Sequence, residues 1–197
     1  MIRKNINKKA FTLIELLVSM SVIALITILF IANYNSANKR TDLIMTAQTM
    51  TSDIHFAQSN ALGLVRYGIY GVPAGGWGVY FDKDNNTYTV FADLNEEGTM
   101  GYKEYDPNLE GNVFDGSIIN KISQDLEIDS LVFSNGTATT SADTAIVSFL
   151  PPDPKTNIYN PNNSNDYIEL EIHLKEKDSE KKQIVKVNFL GLVEVID

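Results

Sequence analysis

Glu15 is the only charged side chain between Phe11 and Ala32. An ionisable group in an otherwise apolar run costs on the order of 3 kcal/mol in lipid, so it marks a functional position and calls for a partner cation. A second cluster spans Asp93 to Glu104. Counted from Asp93, the side-chain oxygens of Asp93, Asn95 and Glu97 fall at positions 1, 3 and 5, with Gly98 next, the Thr99 carbonyl after it and Glu104 at position 12. That spacing is close to a calcium-binding loop, because hard cations gather oxygens and the glycine lets the chain turn around the ion. Glu97 departs from the pattern, which prefers a shorter acid or amide there, and a strand rather than a helix precedes the loop. The stretch reads either as a calcium site, the one cofactor the sequence suggests, or as a plain acidic turn. Other chemistry is scarce. His55 has no second ligand at i+4 and reads as a packed or solvent-facing histidine, and His173 lies in a strand. The pairs Glu96/Glu97 and Glu169/Glu171 could serve acid–base catalysis, but alternate acids on a strand are ordinarily its wet face. With no cysteine, no Gly-x-Ser-x-Gly and no phosphate-cradling loop, the chain is not expected to be an enzyme.

The elements that would position these groups follow from periodicity. Residues 11–32 form an apolar stretch which, as a helix, is ~33 Å long and long enough to span a bilayer. Beyond it Leu43, Ala47, Met50, Ile54, Ala57 and Ala61 recur at three or four, the mark of a helix with one buried face. No proline interrupts residues 11–62, so a single helix over 11–63 is expected, with Gly63 at its C-cap. The period then becomes strand-like. Strands are expected at Tyr67–Tyr70, Trp77–Phe81, Thr87–Phe91, Leu126–Phe133, Ala145–Leu150, Tyr167–Leu174, Gln183–Phe189 and Leu192–Ile196. Asp82–Asn86 makes a hairpin of the second and third. Ile168, Leu170, Ile172 and Leu174 alternate most cleanly, against Val185, Val187 and Phe189, with the charged Lys175–Lys182 as a solvated tip. Glu104–Asn120 and Pro151–Asp166 read as surface loops. The fold class is α+β: a long N-terminal helix, membrane-spanning in its first half, packed on an antiparallel β-sheet domain over 64–197.

The start of the chain is informative in its order. Arg3, Lys4, Lys8 and Lys9 precede the apolar run, which begins abruptly at Lys9-Ala10-Phe11-Thr12-Leu13-Ile14-Glu15. A secretory signal has a shorter apolar core and a small-x-small cleavage site, and Ile31-Ala32-Asn33-Tyr34 offers none. The order instead resembles the class III leader of type IV pilins and type II secretion pseudopilins. The later succession Val65 to Ile69, Gly76 to Asp82, Tyr88 to Asp93, Ser148 to Pro152 and Val187 to Val193 resembles the H-type minor pseudopilins and related minor pilins. The resemblance implies that residues 1–10 are a leader, that a prepilin peptidase cuts between Ala10 and Phe11 beside Lys9, and that the new amine is methylated. The family usually carries Gly where this chain has Ala10. It further implies that Glu15 serves assembly, and that the function is that of a minor subunit of a pilus or secretion pseudopilus.

Four leader charges before the span, against Lys39, Arg40 and Asp42 after it, favour a cytoplasmic N-terminus. The expected location is therefore the inner or cytoplasmic membrane, single-pass, with the C-terminal domain outside and a filament after assembly. Expected partners are other pilin or pseudopilin subunits, the peptidase and the membrane. The formal charge is −9, and a four-charge leader leaves 12 basic residues against 25 acidic ones. Such a surface repels phosphate backbones, which argues against nucleic acid and a DNA-uptake role. A membrane-tethered binding module or adhesin is the alternative from another class.

Overall fold

The computed structural model describes residues 12–68, 71–94, 118–150, 155–163, 167–177 and 179–196. The helix α1 runs Leu13–Leu62, and the chain divides into two compact units, 1–39 and 40–197.

In the first unit, Leu13–Ile31 is long and apolar enough to cross a membrane, and none of it is buried. A core helix of equal apolarity would be covered by its own fold. The hydroxyls within it are satisfied locally: Ser19, Ser21 and Thr27 donate to the carbonyls of Glu15, Leu17 and Ile23 at 2.7, 2.9 and 2.8 Å. These back-bonds leave no hydroxyl hydrogen seeking water, as a lipid-facing helix requires.

In the second unit the helix from Arg40 buries the six residues expected from their spacing, Leu43, Ala47, Met50, Ile54, Ala57 and Ala61, each at most 2% exposed. Among the described residues ten strands form two antiparallel sheets: β1 (Gly76–Asp82), β2 (Thr87–Asp93), β3 (Ile118–Lys121), β4 (Leu126–Ser134), β5 (Thr139–Ala142), β6 (Thr144–Leu150), β7 (Lys155–Tyr159), β8 (Glu169–Glu176), β9 (Lys182–Asn188) and β10 (Val193–Ile196). One sheet has the order β3-β2-β1-β6-β7 and the other β10-β9-β8-β4-β5. Inner-face residues of both, such as Val79, Phe81 and Val147 from the first and Leu131, Ile172 and Val185 from the second, join the helix stripe in one core. In β8 and β9 the alternation is strict, with Leu170, Ile172, Leu174, Val185 and Val187 inside.

Gly76 and Gly78 in β1 are there for close approach. A Cβ on Gly78 would meet the Phe91 ring and the Val147 carbonyl at 2.8 Å, and Gly76 sits at φ +86° with no room beside the Phe149 carbonyl. The Glu97 and Glu96 positions, and the rest of 95–117, lie outside the described residues.

Four expectations are corrected. Tyr67 and Gly68, expected to open a strand over Tyr67–Tyr70, are not in one, and Tyr67 N–H bonds the Gly71 carbonyl at 2.7 Å; Ile69 and Tyr70 lie outside the described residues. Just before them the helix closes, with Val65 N–H on the Asn60 carbonyl at 2.9 Å and Leu64 N–H on the Ala61 carbonyl at 3.2 Å. This is a Schellman ending, and its left-handed residue is Leu64, at φ 51°, with Gly63 one position earlier. The Pro-rich stretch is not all loop, since β7 pairs with β6 and buries Thr156 and Ile158. Residues 118–120 belong to β3 rather than to a loop. Phe189, placed by parity in the core, is 51% exposed because β9 ends at Asn188 and the chain turns there.

Candidate functional site

The candidate site is the start of α1. Thr12 is the first described residue, and Glu15 lies in the first helical turn. Glu15 N–H donates to Thr12 Oγ1 at 3.3 Å, and Thr12 Oγ1 stands 3.4 Å from Glu15 Oε2. Thr-x-x-Glu has the spacing of a capping box, and here the Thr12 hydroxyl satisfies an orphan helix N–H while the acid folds back towards that same hydroxyl. A negative charge in the first turn also complements the partial positive charge of the helix end. The sequence carried this signal, since Thr12 and Glu15 have the spacing of the box, but reading the acid only as an intramembrane charge passes over it.

The carboxylate remains exposed. It is the single charge on Leu13–Ile31, so it is available to a cation from outside this chain. The processing residues Lys9, Ala10 and Phe11 lie outside the described residues.

The second unit holds the other candidates. Asp93 closes β2 with no exposed surface, and its carboxylate lies over Gly75, where a Cβ would collide with it. Asn95, Glu97, Thr99 and Glu104 lie outside the described residues. Among the described residues no group of three potential ligands could hold a metal ion.

His55 is exposed and its Nδ1 faces Gln58 Oε1 at 3.3 Å. His173 pairs with Glu171 at 3.1 Å and Glu169 with Lys186 at 2.8 Å, so these acids are members of the charged outer face of the second sheet. Lys182 donates to Asp129 at 2.6 Å, and this bond holds the Asp129 carboxyl below the usual carboxylate range.

Sequence reasoning missed the helix-to-sheet ties. Tyr88 OH donates to Asp53 Oδ2 at 2.8 Å, Trp77 Nε1–H to the Val65 carbonyl at 3.3 Å, and Gln58 Nε2–H to the Gly191 carbonyl at 3.3 Å. Burial, reinforced by Asp53, pushes the Tyr88 phenol far above the ordinary tyrosine range. Periodicity has no signal for such pairs, because their members lie far apart in the chain.

A family model, the prokaryotic N-terminal methylation motif, matches residues 5–31. No curated protein and no solved structure matches. The chain therefore carries a type IV pilin-like prepilin signal. That signal implies processing by a prepilin peptidase and assembly with pilin subunits, and with the exposed apolar segment it points to membrane anchoring.

Proposed function

We propose that this chain is a minor pilin-like subunit of a type IV pilus or a type II secretion pseudopilus, with no enzymatic activity of its own. It would be held in the membrane through Leu13–Ile31 and carry its β-sheet domain outside the cytoplasm. The observation that supports this reading most directly is the coincidence at residues 5–31 of the methylation motif with a helix whose one charge is Glu15. The aromatic and glycine spacing of the later strands adds the H-type minor subunits as the nearest kind. In this role Glu15 pairs with the free amine of Phe11 on a neighbouring subunit, and the pairing offsets the cost of a carboxylate in lipid.

Mass spectrometry of the membrane-extracted protein tests the reading. The expected N-terminus is a methylated Phe11. An intact Met1, or any other start, overturns it. Co-purification with other pilin-like subunits would then separate a pilus from a secretion pseudopilus.

A further inference from the structure

We infer that the outer edge of β10 is a strand-addition site, which takes an extended segment of a partner protein and sets a lysine or arginine of that segment against Glu194. The site lies wholly within the second unit.

β10 is the last strand of its sheet, and among the described residues only β9 pairs with it. The β9–β10 ladder opens with Asn188 N–H on the Leu192 carbonyl at 3.1 Å. Bonded positions alternate along an antiparallel pair, so Glu194 and Ile196 turn their backbone groups towards β9 while Val193 and Val195 turn theirs outward. No described residue bonds these two from the outer side. Gln183 Nε2–H donates to the Ile196 carbonyl at 3.0 Å and fastens the end of the strand. Edges are ordinarily blunted by lysine, proline or a bulge. β10 has none of these: it reads Val-Glu-Val-Ile and runs against β9 without a shift in register. The opposite edge of the same sheet, β5, is Thr-Thr-Ser-Ala and offers a partner no large apolar side chain.

The side chains decide which segment fits. Glu171, Lys186 and Glu194 stand opposite one another on β8, β9 and β10, so charge alternates across the outer face of the sheet. Lys186 is bound to Glu169 at 2.8 Å. Glu194 is exposed, and among the described residues no cation pairs with it. Opposite charges directly across a ladder attract and like charges repel, so the next strand in the row gains most from a cation. Leu192 and Ile196, exposed on either side of Glu194 on the same face, call for apolar residues two places before and after that cation. A second copy of β10 does not meet the pattern, since Val193–Ile196 carries no cation.

The test uses the full chain in detergent and the blocked peptide Thr-Leu-Val-Lys-Val-Leu-Thr. Amide hydrogen exchange is read residue by residue. In the free chain Val193 and Val195 should exchange fast and Glu194 slowly. At saturating peptide, Val193 and Val195 should slow by about tenfold while Glu194 changes little. Replacing the lysine of the peptide by glutamate should weaken binding about fivefold, and in Glu194→Lys the preference between the two peptides should reverse. Slow exchange of the Lys186 amide, whose partner in the ladder is position 194, shows that β10 still pairs with β9 in that variant. Unchanged exchange at Val193 and Val195 with the lysine peptide overturns the site. Equal protection by both peptides overturns the cation as the recognised group. Slowing that grows with protein concentration, without peptide, gives the edge to a second copy and overturns a foreign strand as its occupant.

Discussion

The backbone N–H of Glu15 donates to the hydroxyl of Thr12 at 3.3 Å, and the same hydroxyl stands 3.4 Å from the Glu15 carboxylate. The acid therefore has a local role beside the proposed assembly role, and the two separate by substitution. Glutamine keeps the N–H bond to the Thr12 hydroxyl and a side-chain oxygen beside it but has no charge. We predict that Glu15→Gln is cleaved and inserted like the wild type yet fails to enter filaments, as does Glu15→Leu. Filament incorporation of Glu15→Gln at wild-type levels would show that capping alone accounts for the residue.

Leu64 occupies the left-handed position of the Schellman ending at φ 51° and is half exposed. A branched residue there costs about 1 kcal/mol, which glycine avoids at some entropic expense. Leu64→Gly should raise stability by ~0.5 kcal/mol, whereas Leu64→Val should lower it by ~1 kcal/mol. Thermal unfolding of the full chain in detergent, followed by the single tryptophan, Trp77, reads both. A melting point lowered by glycine would contradict the assignment of strain.

Asn86 takes the place of a missing strand. β5 pairs with β4 only over Leu131–Ser134. Further along the strand Asn86 Nδ2–H donates to the Leu126 carbonyl at 2.8 Å, and Asn86 Oδ1 accepts from Ile128 N–H at 2.9 Å. Asn86 is also left-handed, at φ 54°, in the turn between β1 and β2. Asn86→Gly keeps the turn and loses both bonds, and should cost about 2 kcal/mol. Asn86→Ala loses both and adds strain, for about 3 kcal/mol in all. Urea unfolding of the two variants measures the difference, and equal costs would remove the strain contribution.

The Tyr88–Asp53 bond sets an alkaline limit. The phenol is raised in the folded state, so the unfolded chain loses this proton first. The contribution to stability is whole below about pH 10 and declines above it. Tyr88→Phe should be less stable than wild type at pH 7 by about 1 kcal/mol, with the gap closing as pH rises through that range. Unfolding free energies across neutral to alkaline pH check it. A gap that widens would reverse the sign of the linkage.

How much of this was legible in the sequence depended on whether neighbours in the chain were also neighbours in space. The stripe from Leu43 to Ala61 is a local period and held, and the alternation of β8 held from Leu170 to Leu174, whereas Ile168, read onto the same face, lies before the strand and is 41% exposed. β7 was hidden because Pro151–Asp166 reads as a loop by composition, yet Lys155–Tyr159 completes a ladder already started by β6. Val65 carries strand propensity, but the helix ending takes its N–H first. At the candidate site Glu15 was legible by charge alone, while its capping partner Thr12 required attention to spacing.

Calcium at Asp93–Glu104 remains a proposal that must allow for the position of Asp93. That carboxylate is buried over Gly75, so Asp93→Ala is expected to destabilise with or without the ion. Glu104→Gln is the informative change. Millimolar calcium should raise the melting point of the wild-type chain relative to chelator, and the rise should vanish in Glu104→Gln. No shift in the wild type would leave the stretch an acidic turn.

The two sheets are threaded through one another along the chain: β1 to β3 enter the first, β4 and β5 the second, β6 and β7 return to the first, and β8 to β10 finish the second. Trp77 in β1 therefore waits for Phe149 in β6, and Leu126 in β4 for Glu176 in β8. Contacts of such long sequence separation make folding slow, because loop closure comes before any pairing repays it. Neither sheet can be cut out as an autonomous piece. A chain emerging residue by residue would gain most of its cooperativity only with its last strands, which makes shortening the C-terminus a folding defect rather than a trimmed edge.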